Sequence, residues 1–164
     1  MTDTETDRMS ITRRIAAPVE RIFALVSSPQ GHVDIDGSGM LVATDDADTP
    51  RAVGDTFEMH MDREPLGDLP LGRYTVCNTV TVFEQDREFA WTVGAVGRTP
   101  IGHVYGYRLE PVDEATTDVT SYYDWSAISD KWRERVSWPV VPKEMLEASL
   151  DNLERLATGP ARET

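Results

Sequence analysis

His103, Tyr105 and Tyr107 alternate along the chain, which on a β-strand puts all three side chains on one face. An imidazole beside a phenol hydroxyl is a general acid–base pair, the kind a cyclase or dehydrase needs. His103 and Tyr105 are therefore the catalytic candidates. For His103 a surface position near the start of its strand is the preferred reading. The other two histidines are His32 and His60. His60 alternates with Met59 and Met61 and is expected to point away from their face. The three show no metal spacing such as H-x-x-x-H. A single cysteine, Cys77, excludes an intrachain disulfide and a multi-cysteine metal site. No cationic neighbour in sequence activates its thiol, so a structural role is expected. Gly94-Ala-Val-Gly97 does not fit the dinucleotide fingerprint, and no P-loop or Ser/His/Asp order is present. Neither metal nor cofactor is expected.

A binding site is better supported. Met59, Met61, Tyr74, Asn78, Trp91, Tyr105, Tyr107, Tyr123 and Trp125 fall in phase with Phe57, Val76, Val80 and Phe89 on successive alternating segments. Packing into a core is the plain reading of such a set. Three features point to a cavity instead. Buried tyrosine hydroxyls need partners. Asn78 sets an amide among apolar neighbours. Methionines adapt to irregular apolar shapes. A mostly apolar wall with a few fixed polar groups is what small-molecule sites look like.

Those segments must be held by something. The firmest element is a helix over 142–159. Leu146, Leu150, Leu153 and Ala157 recur at spacings of four, three and four, and Glu144, Glu147, Asp151, Glu154 and Arg155 take the opposite side. Pro142 suits its first turn, and Gly159-Pro160 ends it. Upstream, an alternating first strand (9–15) leads into a helix opened by Pro18 and stopped at Ser27-Ser28-Pro29, with a short second helix or turn near 30–34. About six alternating segments follow, joined by turns. An antiparallel meander with one apolar face must cover that face, and the C-terminal helix can do so. Its N-terminal half, with Met145, Leu146 and Ser149, is expected to face the ligand space. Its C-terminal half, from Leu150, is expected to be core. Between the last strand and this helix, Ser129 or Asp130 opens a short helix carrying Trp132. Trp132 and Trp138 either gate the cavity or pack on the sheet's rim, with the rim preferred.

The chain has 164 residues, one domain's worth, placed at 8–158 with disordered tails at 1–7 and 159–164. A net charge of −13 argues against nucleic acid and anionic membrane surfaces as partners. No apolar run reaches the roughly 20 residues of a membrane span, and the acidic start MTDTETDR resembles neither a signal nor a transit peptide. A cytoplasmic location is expected. The oligomeric state is left open.

The order of elements and several local stretches resemble the START-like, or SRPBCC, superfamily, which includes Bet v 1 relatives and the bacterial polyketide cyclase/dehydrase and lipid-transport group. The resemblance lies in Ile15-Ala-Ala-Pro18-Val19-Glu20-Arg-Ile-Phe23, Val53-Gly54-Asp55-Thr56-Phe57, the pair Thr81-Val82-Phe83-Glu84 and Arg87-Glu88-Phe89-Ala90-Trp91, then Tyr107-Arg108-Leu109-Glu110-Pro111 and Thr117-Asp118-Val119-Thr120. It implies an α+β helix-grip fold: a curved seven-stranded antiparallel sheet wrapped round a long C-terminal helix, with one or two short helices after the first strand. It also implies a cavity for an apolar molecule such as a lipid or polyketide. Storage, transport or sensing of such a molecule is the expected function. A cyclase or dehydrase using the same cavity, and a protein-interaction module of chaperone-activator or antitoxin type, are the rivals, because fold alone does not fix function.

Overall fold

The structure, a computed structural model, describes residues 2–5, 7–46, 48–67 and 72–159. The C-terminal tail from position 160, and Met1 and Thr6 of the N-terminal tail, lie outside the described residues. Among the described residues there are eight strands: β1 (Thr2–Glu5), β2 (Arg8–Ile15), β3 (Leu41–Ala43), β4 (Thr56–Asp62), β5 (Arg73–Glu84), β6 (Glu88–Ala95), β7 (Val104–Asp113) and β8 (Thr116–Asp124). Four helices join them: α1 (Val19–Val26), α2 (Pro29–Ile35), α3 (Asp130–Arg135) and α4 (Lys143–Thr158). The strands form one sheet in the order β1-β2-β8-β7-β6-β5-β4-β3, and every neighbouring pair is antiparallel.

This is the helix-grip fold. The chain leaves β2 near one edge, crosses through α1 and α2, re-enters at the far edge as β3, and returns by a meander to β8 beside β2. One strand was not expected. Thr2–Glu5 pairs with Arg8–Ile11 and adds an eighth, edge strand where the sequence suggests a disordered tail. The correction has a simple cause: a short polar segment carries no hydrophobic alternation from which a strand can be read.

Local sequence explains the rest. In α1 the buried side chains are Val19, Ile22, Phe23 and Val26, a helical stripe, with Pro18 at the N-cap. Ser28 opens α2 by accepting a hydrogen bond from the Gly31 N–H at 3.2 Å, with Pro29 in the first turn. In β8 Thr117, Val119, Ser121 and Tyr123 are all buried and alternate with partly exposed residues, the signature of a sheet covered on one side.

α4 closes the sheet. Leu146, Leu150, Leu153 and Ala157 are its buried residues, and each fully buried leucine contributes about 2 kcal/mol of apolar transfer. Polar ties fix its place. The Gly37 N–H donates to Ser149 Oγ at 2.9 Å, and Asn152 Nδ2 donates to the carbonyls of Ile35 and Asp36 at 3.2 and 3.3 Å. Only glycine permits this approach, since a Cβ on residue 37 would lie 2.5 Å from the Ser149 nitrogen. Arg21 Nη2 donates to the Gly159 carbonyl at 2.6 Å, satisfying the open C-terminal end of α4. Arg13, the residue out of step in the alternation of β2, reaches the acidic side of α4, with Nη1 2.6 Å from Asp151 Oδ1.

Candidate functional site: a cavity between the sheet and the C-terminal helix

The first half of α4 stands off the sheet and leaves a cavity of about 950 Å³. That is the size range of sites for drug-sized molecules. Most residues singled out in the sequence meet here: Met59, Met61, Tyr74, Asn78, Trp91, Tyr105, Tyr107, Met145 and Ser149 line it, as does His103. Leu146 lines it too, whereas Leu150, Leu153 and Ala157 are buried in the core. Helix α4 is therefore divided between cavity and core.

Two residues of the expected set stand elsewhere. Tyr123 and Trp125 are buried but do not line the cavity. The Tyr105 ring lies between, stacked on Tyr123 at 4.3 Å between centroids and 16° between planes. Trp125 packs in turn on Tyr123 at 5.0 Å.

The walls are aromatic and tightly ordered. Trp91 stacks near Tyr105 and Tyr107 with centroids 5.8 and 6.2 Å away. His32 of α2 closes on the Trp91 ring at 4.4 Å. His32, which no sequence motif marks, is buried in the wall. Its signal was the three-residue spacing of Pro29, His32 and Ile35, all buried on one face of a helix too short to stand out. Trp132 and Trp138 also line the cavity, and Trp138 Nε1 donates to the Trp132 carbonyl at 3.0 Å.

Burial decides the protonation states. Desolvation pulls the His32 pKa down to about 4, partly opposed by its hydrogen bond to the Val26 carbonyl. The ring is neutral at neutral pH, and Nε2 donates to that carbonyl at 2.6 Å. His103 is likewise lowered to about 4, first by desolvation and then by the nearby Arg63 charge. It is only 8% exposed, so the surface position favoured from sequence is corrected. Just before the start of a strand an imidazole can be covered by distant chain, here Trp138, whose ring is 5.3 Å away. Tyr105 and Tyr107 are raised by desolvation, and Tyr123 is raised to about 12 by the same cause. All three phenols stay protonated at neutral pH. The Tyr123 oxygen accepts from the Val140 N–H at 3.4 Å.

Two polar atoms in this wall are buried without a hydrogen-bond partner among the described residues: Asn78 Oδ1 and His103 Nδ1. Buried polar groups are nearly always paired, so these two stand out. Asp36, by contrast, is fully engaged. Its carboxylate accepts from the backbone of Ser38, Gly39 and Leu41 and from the Ser38 hydroxyl at 2.7–3.2 Å. Chemically, the site offers a largely apolar wall with two buried, unpaired polar atoms, and a neutral imidazole 5.5 Å, ring to ring, from the Tyr105 phenol. No group of three His, Cys, Asp or Glu side chains suited to a metal occurs among the described residues. Among those residues no helix is long and apolar enough to cross a membrane.

A curved antiparallel sheet gripping a long helix over a lined cavity defines a class of small-molecule-binding folds, and the comparisons narrow it. Residues 6–158 match the family described as polyketide cyclase / dehydrase and lipid transport, and the chain belongs to that family. A curated relative is an uncharacterized protein, Rv0088, of Mycobacterium tuberculosis, 28% identical over 120 residues. The match takes in 73% of this chain but 48% of the relative, so the chain spans about half the length of the curated relatives it matches. Among solved structures, protein Ms6760 from Mycobacterium smegmatis aligns with a TM-score of 0.64 at 18% identity, covering 96% of each chain. A protein from Arthrobacter aurescens, solved by NMR, aligns with a TM-score of 0.69 at 17% identity, covering 98% of this chain and 92% of that one. At these identities the likeness establishes the fold alone.

Proposed function

We propose that this protein binds an apolar small molecule of lipid or polyketide type in the cavity between the sheet and α4. The observation that carries the reading is the wall itself: aromatic and methionine side chains round a volume of about 950 Å³, with Asn78 Oδ1 and His103 Nδ1 buried and unpaired among the described residues. A wall built only as core would close on itself and would not bury unpaired polar atoms, at about 1–3 kcal/mol each. Titration with decanol, followed by tryptophan fluorescence, tests the reading. Trp91, Trp132 and Trp138 line the cavity, so a saturable change is expected. A Val93→Phe/Val141→Phe variant, which fills the same space, should weaken binding at least about tenfold. No saturable response, or equal affinity in the filled variant, would end this reading.

A second reading places cyclase or dehydrase chemistry in the same cavity. Its support is the neutral His103 ring packed edge-on to Tyr105, a base and an acid in their working protonation states. Full turnover of a substrate by a His103→Ala/Tyr105→Phe variant would remove it.

A further inference from the structure

The charge of the cavity wall runs opposite to that of the chain. The chain has 29 acidic and 16 basic side chains. Among the described residues, the wall holds four cations, Arg63, Arg98, Lys131 and Arg135, and one acid, Asp36. Asp36 spends its carboxylate on four hydrogen bonds within its own loop. The cations come from three separate places: the end of β4, the turn between β6 and β7, and α3. On α3, Lys131 and Arg135 are four residues apart and share a face. Acidic neighbours in sequence, Asp62, Glu64, Asp130 and Glu134, do not line the cavity. Arg98, Lys131 and Arg135 are exposed, while Arg63 is half-buried and close enough for its charge to act on His103, Tyr105 and Tyr123. The rest of the wall is mostly apolar, with aromatic rings and the methionines Met40, Met59, Met61 and Met145 prominent.

In an acidic protein, a cationic rim on an apolar enclosure selects by charge. We propose that the molecule bound here is an apolar anion, its hydrocarbon body among the aromatic rings and its carboxylate or phosphate held at the rim by Arg63, Arg98, Lys131 and Arg135. This rests on the binding reading above and names its ligand class. Cations and uncharged alcohols of the same length lose the rim contact. The long-range field also draws an anion toward this opening and away from the otherwise acidic surface.

The test is a matched series titrated by calorimetry at neutral pH and low salt: decanoate, decyl phosphate, decanol and decyltrimethylammonium. Decanoate or decyl phosphate should bind about tenfold more tightly than decanol, since several partly exposed charges act together. The tighter of the two anions identifies the head group. High salt should erase most of that margin and leave decanol unaffected. An Arg98→Gln/Lys131→Gln/Arg135→Gln variant should bind decanoate no better than decanol. A variant with the same charge loss elsewhere, Arg51→Gln/Arg87→Gln/Arg155→Gln, should keep the preference. Equal affinity for decanol and decanoate would overturn this proposal and leave the binding reading standing. Failure of all four probes would overturn both. Equal loss in the two triple variants would show that net charge, not the rim, sets the preference, and would also overturn it.

Discussion

His32 and His103 sit neutral in the cavity wall because burial makes their charged forms costly, and that has a consequence for stability. Their folded pKa values of about 4 lie below the ordinary 6.5. Above 6.5 neither the folded nor the unfolded chain holds the extra protons, and the fold has its full stability. As pH falls through the window from 6.5 to about 4, the unfolded chain takes up protons that the folded chain refuses. Stability should therefore drop on acidification by up to about 1.4 kcal/mol per pH unit for each histidine, levelling off below the folded value. Urea unfolding at about pH 7 and about pH 5 measures this. A His103→Gln variant should show a shallower dependence than the parent, and an unchanged slope would contradict the burial argument. Asn78 was legible in the sequence because an amide in phase with Val76 and Val80 stands out. His32 was not, because α2 is seven residues long and one turn of spacing is weak evidence of a face.

At the scale of elements, α4 does two jobs along its length. Leu150 and Leu153 are fully buried, so Leu150→Ala should cost about 2–5 kcal/mol in transfer and cavity terms. Met145 faces the cavity, where nothing packs fully against it, so Met145→Ala should cost less than about 1.5 kcal/mol and alter ligand affinity instead. Thermal melts paired with decanol titrations check the contrast; comparable stability losses for the two variants would refute it. The division was readable from sequence because the helix stripe has a strong period. The same clarity held for the long strands, where one buried face forces alternation. It failed at β1, whose pairing leaves no pattern in side-chain type. At α3 the start at Ser129-Asp130 was legible, but the helix has no buried residue, so nothing in its pattern announced that Lys131, Trp132 and Arg135 reach the cavity wall.

For the whole molecule, what reading the chain could not supply was convergence. Arg63, Arg98 and the α3 cations are distant in sequence, and each looks like an ordinary solvated charge. Only the crossover through α1 and α2, and the return of the meander, bring them to one cavity wall. The same holds for the placing of Tyr123 behind Tyr105: both are in phase on neighbouring strands, and which ring meets the cavity depends on how they stack. The central claim, a cavity that takes an apolar molecule, is open to one direct measurement. Met40, Met59, Met61 and Met145 line the cavity, while Met9 is buried in the core outside it. Methyl NMR spectra of methionine-labelled protein, recorded during a titration with decanol, report on each of these sites separately. The account predicts that the Met40, Met59, Met61 and Met145 signals move together to saturation and that Met9 stays in place. Cavity methyls that do not move, or a Met9 signal that moves as far as theirs, would contradict it.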